Sequence, residues 1–65
     1  MAPTAEGLLA YWTLPEYRTM SDGYQAVAKV FYGGNVRKAR REIKRRVADP
    51  LKYWKYHHHR TGDIT

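Results

Sequence analysis

Residues 35–48 leave this chain little freedom in how it folds. Four aliphatic side chains of the stretch, Val36, Ala39, Ile43 and Val47, recur at helical spacing. With the ~3.6-residue period of an α-helix they fall within an arc of about 80°, a thin seam that must pack on a neighbour. The flanks agree with a helix. Asn35 is a good N-cap, and Gly33-Gly34 ahead of it suits the left-handed turn that closes a preceding helix. Asp49-Pro50 behind it pairs a capping carboxylate with a proline at the first position of the next helix, so one helix stops there and another begins.

The same stretch holds the charge. Seven of the twelve Lys and Arg residues lie between Arg37 and Arg46, namely Arg37, Lys38, Arg40, Arg41, Lys44, Arg45 and Arg46, against the single acid Glu42. Elsewhere five bases balance five acids, so this segment accounts for the formal net charge of +6. Glu42 stands four residues from both Lys38 and Arg46, where it can relieve repulsion locally. Arg37, Arg41 and Arg45 recur every fourth residue, ~6 Å apart along the axis from the 1.5 Å rise, a spacing that can follow a phosphate backbone. Guanidinium also bonds bidentately to phosphate or to a guanine edge. A solvated face is the ordinary fate of a charged helix surface. Concentrated like charge costs self-repulsion, however, and that favours a polyanion partner: nucleic acid first, an anionic lipid surface or an acidic protein groove second.

Around this helix the rest of the chain reads as a small helical domain. Thr4 can cap a short helix with Glu6 in its first turn and Leu8, Leu9, Tyr11 and Trp12 in its body. Thr13-Leu14-Pro15-Glu16 resembles a capping box, which predicts a second short helix over 14–20. Ser21 then starts a helix in which Tyr24, Val27, Ala28 and Phe31 recur at i, i+3, i+4 and i+7. Only Gln25 and Lys29 make a clear polar side there, so this helix is expected to be a central post buried on most sides. In 51–59 helical spacing groups Leu51, Trp54 and His58, whereas strand alternation sorts nothing. The end, 60–65, is polar with a turn signal and is expected to be flexible.

The expected fold is therefore all-α: one domain over 1–65, a small bundle of three to four short helices. The central helix, Gly-Gly-Asn turn and basic helix follow one another in a helix-turn-helix-like order. At 65 residues, burial barely offsets chain entropy, which makes oligomerisation or docking onto other protein subunits plausible support. Without cysteine, neither disulfides nor thiolate metal sites can supply it. The 43% hydrophobic and 14% aromatic content is too rich for a disordered tail. The longest apolar run, Leu8 to Trp12, is far short of the ~20 residues that cross a bilayer. The opening residues lack a basic n-region and an apolar h-region, so a cytoplasmic, nuclear or organelle-matrix location is favoured over classical secretion.

Candidate nucleic-acid contacts are Arg37, Lys38, Arg40, Arg41, Lys44 and Arg45. Tyr53, Trp54 and Tyr56, interleaved with Lys52 and Lys55, are candidates for stacking on unpaired bases or for a partner contact, although such rings more often serve the core, most of all Trp54. Metal binding is not expected. Adjacent residues on a helix point about 100° apart, so His57, His58 and His59 cannot converge on one ion, and they suit the negative end of a helix dipole instead. Catalysis and cofactors are not expected either: the one serine, Ser21, reads as a cap, and the six acids are scattered. Two functions remain. The first is a non-enzymatic nucleic-acid-binding protein that docks 35–48 on phosphate or in a DNA groove. The second is a small structural subunit of a large ribonucleoprotein, organellar or membrane-associated assembly.

Overall fold

The computed structural model describes residues 4–58, which form four helices in the order α1 (Ala5–Trp12), α2 (Met20–Phe31), α3 (Val36–Arg46) and α4 (Pro50–His57). Among the described residues the fold is all-helical, as the apolar spacing predicts, and no helix is long and apolar enough to cross a membrane. The expected flexible segment 60–65 lies outside the described residues, as does His59.

Each helix starts on a side chain that accepts a hydrogen bond from an amide with no partner inside the helix. Thr4 accepts from Gly7 N, Asn35 from Lys38 N and Asp49 from Lys52 N, with Pro50 in the first turn of α4. The start of α2 departs from expectation. Thr19, not Ser21, is its N-cap, accepting from Asp22 N at 3.0 Å, while the Ser21 hydroxyl accepts from the Gln25 side-chain amide.

No helix forms over 14–20. The Thr13 hydroxyl donates to the Leu9 carbonyl at 2.9 Å, so it closes α1 instead of capping a new helix. Extended backbone at Thr19 (φ −132°, ψ 163°) ends any helical path before α2. Residues 14–18 make a turn held by Tyr17 N donating to Leu14 O. So short a segment cannot sustain a helix by itself, since nucleation costs more than a few bonds return.

Gly33 and Gly34 take φ values of 60° and 91°, which side-chain-bearing residues rarely adopt. This turn lets Gly34 N donate back to Ala28 O at 2.8 Å and sends the chain straight into α3.

The core is Leu8, Trp12, Tyr24, Val27, Ala28, Ala39, Ile43 and Trp54. Trp12 is its centre. The indole is fully buried, stacked on Tyr24 at 5.3 Å between ring centroids and parallel to Tyr53 at 6.2 Å. Gly23 makes room for it, because a Cβ there would lie 2.7 Å from both Trp12 Cδ1 and Trp12 O. α2 packs against α1 and α3, and its buried side is Gly23, Tyr24, Val27 and Ala28. It is not enclosed on most sides as expected: Val30 is half exposed, because among the described residues the four short helices leave no further element to cover that face.

α3 contributes Ala39 and Ile43 as buried residues, with Val36 and Val47 half-buried at the edges of the seam. Val47 is the C-cap, one residue past the helix. α4 joins the body through two aromatics, Tyr53 beside Trp12 and Trp54, whose indole N–H donates to Trp12 O at 3.4 Å.

Candidate nucleic-acid interface

Burying Ala39 and Ile43 against α2 decides which way every base of α3 points. On a helical wheel at about 100° per residue, Arg40, Lys44, Arg37, Arg41, Arg45 and Lys38 follow one another across the side opposite the seam. All six are exposed. Five of them, Arg37, Arg40, Arg41, Lys44 and Arg45, line one open groove together with Val36, whose half-buried side chain forms its apolar edge. The structure thus gathers five of the six expected contacts in one concavity. Lys38 stands on its far side, with its ammonium 5.5 Å from the Tyr32 ring centroid.

Two details separate bases that are free to meet a partner from those already engaged. Glu42 is held by Arg46 at 2.9 Å and by Arg45 at 3.4 Å, and these are the ion pairs among the described residues. The Arg46 guanidinium also donates to the Glu42 carbonyl at 2.8 Å, which ties this side chain down along the helix. The hydrogen bond from Arg46, together with the positive charge of Arg45 and Arg46, outweighs desolvation and holds the Glu42 carboxyl below its ordinary value. Lys38, the other neighbour four residues away, does not pair with it. Arg46 is therefore neutralised where it stands, and Arg37, Lys38, Arg40, Arg41 and Lys44 carry charge with no acid partner among the described residues.

Arg40, unpaired with any acid among the described residues, rests instead against a core ring. Its guanidinium carbon lies 5.7 Å from the Tyr24 ring centroid, and a second, smaller hollow links it to Ser21, Tyr24 and Val36. Burial pushes the Tyr24 hydroxyl up in pKa, and the Arg40 charge partly offsets that. Cation–π seating of this kind holds an exposed guanidinium near one position at modest cost.

The three aromatic candidates on α4 separate by exposure. Trp54 is 8% exposed and hydrogen-bonded into the core, so it is not an open stacking surface. Tyr53 is half-buried, between Trp12 on one side and His57 at 4.1 Å on the other. Tyr56 is 76% exposed. The histidines diverge as the helical geometry requires: His57 lies against Tyr53 and Tyr56, while His58 stacks on Trp54 at 3.9 Å. Leu51, expected on the apolar side with Trp54, is half exposed.

Sequence reasoning passed over Val36 as a groove edge and the Arg40–Tyr24 contact. The i, i+4 spacing of Val36 and Arg40 is the signal that could have joined the first pair; nothing in the sequence announces the second. Compared with protein-family models, with curated proteins and with solved structures, the chain matches none of them.

Proposed function

We propose that this protein binds nucleic acid through the outer face of α3, as a non-enzymatic binding module. The observation that carries the reading is the division of charge. Five bases without an acid partner among the described residues sit on one side of one helix, while everything outside 37–46 is electrically balanced. A face of this kind is costly to keep unless a polyanion screens it, and nucleic acid offers closely spaced phosphates of the required sign. Arg37, Arg41 and Arg45, the last held to Glu42 only at 3.4 Å, supply guanidiniums along one line of the helix, Arg40 and Lys44 a second line beside it, and Lys38 the far edge. The basic helix follows α2 through a tight glycine turn, an order compatible with insertion into a DNA groove.

The test is fluorescence anisotropy with a labelled oligonucleotide at low salt. Binding is expected for the wild type and loss of about 100-fold or more for the Arg37→Ala, Arg41→Ala, Arg45→Ala triple variant, since several phosphate contacts disappear together. Equal binding by the two proteins would remove α3 from the interface.

A second reading, a small subunit of a larger assembly, draws support from Val30, Leu51 and Tyr56, large apolar side chains left exposed on α2 and α4. A monomeric mass and a cooperative melt of the isolated chain would count against it.

A further inference from the structure

Beside the charged face of α3 lies a second groove of different character, lined by Arg46, Val47, Ala48, Asp49, Lys52, Tyr53, Tyr56 and His57. Its charges nearly cancel. Arg46 is bound to Glu42, and the formal charges of Asp49, which accepts from the Lys52 backbone amide, and of Lys52 offset one another. What remains is ring surface. Tyr24, Trp12, Tyr53, His57 and Tyr56 form a continuous row of aromatic contacts, at centroid separations of 5.3, 6.2, 4.1 and 4.9 Å, running from the core out to solvent. The inner rings are fixed by packing on both sides, and the outermost, Tyr56, is open. The two grooves meet at the last turn of α3, where Arg45 lines the first and Arg46 the second.

We infer that this second groove takes an unpaired base of a nucleic-acid strand, stacked on the face of Tyr56 with the His57 ring at its edge, while the phosphates of the same strand run onto the cationic face of α3. The inference rests on the proposed nucleic-acid reading and narrows it from any nucleic acid to a strand with exposed base faces. A neutral aromatic hollow next to a cationic track matches the division within a single-stranded nucleotide, whose base is a neutral π-surface and whose backbone is charged. A duplex hides its base faces and a lipid headgroup or acidic peptide has none, so those partners would leave the aromatic groove unused. Tyr56 is the anchor. Its exposure leaves it with no role in closing the core, and its edge-to-face contact with His57, with ring planes at 82°, sets its orientation.

The experiment measures binding of the 65-residue protein to three labelled probes of equal length: a single-stranded oligonucleotide, an abasic strand and a duplex. It compares wild type with Tyr56→Ala and Tyr56→Phe. Expected is a preference of the wild type for the base-bearing strand over the abasic one of about 5- to 100-fold, the range for stacking a single base. In Tyr56→Ala this preference disappears while duplex and abasic binding stay unchanged; Tyr56→Phe keeps it. Equal affinity of the wild type for the base-bearing and abasic strands, or a preference that survives Tyr56→Ala, overturns the inference and leaves the α3 reading standing. Binding to none of the three probes overturns both.

Discussion

Gly23 decides how closely α1 and α2 approach, since any Cβ at this position would overlap both the ring and the carbonyl oxygen of Trp12. The carbonyl oxygen is backbone, so a swing of the Trp12 side chain alone cannot relieve the overlap. Gly23→Ala is expected to destabilise the domain by about 1–3 kcal/mol, the usual cost of overpacking, despite the higher helix propensity of alanine. Urea denaturation measures it; a stabilised variant would mean that Trp12 does not sit against this glycine. Glu42 gives a pH-dependent prediction. Its carboxyl is held below the ordinary 4.5 by Arg46 first, so its pairing contributes stability that is fully present above 4.5 and is lost as pH falls through the lowered value. The difference in urea midpoint between the wild type and Glu42→Gln should therefore hold steady from about pH 7 down to pH 5 and shrink as acidification continues. A difference that grows on acidification contradicts the assignment.

The four helices were legible where local chemistry leaves one reading. Asn35 and Asp49 each stand beside a turn residue and cap as expected, and the i, i+3, i+4, i+7 spacing of α2 does point Tyr24, Val27 and Ala28 inward. The start of α2 was not legible, because Thr13, Thr19 and Ser21 all have hydroxyls able to cap and the choice is made by packing. Once Gly23 is seated on Trp12, α2 must begin early enough to place it there, and Thr19 becomes the residue in extended conformation ahead of the first turn. Thr19→Ala is accordingly expected to cost about 1 kcal/mol, whereas Ser21→Ala should change stability by a few tenths at most. Equal costs in thermal melts would put the boundary back at Ser21. α4 depends on fewer contacts than the other helices, with Trp54 its one buried residue. Trp54→Ala removes a large core side chain together with its bond to Trp12 O, a loss of about 3–5 kcal/mol. That is comparable to the full stability of a domain this small, so loss of the cooperative melt is the expected outcome. A folded variant lacking only α4 signal in circular dichroism would show that α1–α3 stand without it.

Taken together, the chain separates two tasks between the sides of α3. The seam of Ala39 and Ile43 holds the domain together, and the charge stands on the side that the core does not need. The location of this face was readable from charge counting alone, because the remainder of the chain is balanced. Its membership was not fully readable. The i, i+4 spacing already offers Glu42 to Arg46, and Trp54 was the ring expected inside; that Glu42 takes Arg46 and not Lys38, and that Lys38 rests near Tyr32 instead, depends on side-chain packing, which periodicity does not encode. The most direct measurement is the salt dependence of oligonucleotide binding for the wild type and the Arg37→Ala, Arg41→Ala, Arg45→Ala variant. Releasing counterions from four to five phosphates gives a slope of log K against log salt of about −3 to −5, and removing three contacts should flatten it by about 2 to 3. A wild-type slope near zero, or a slope that the triple substitution leaves unchanged, would contradict the assignment of α3 as the nucleic-acid-binding face.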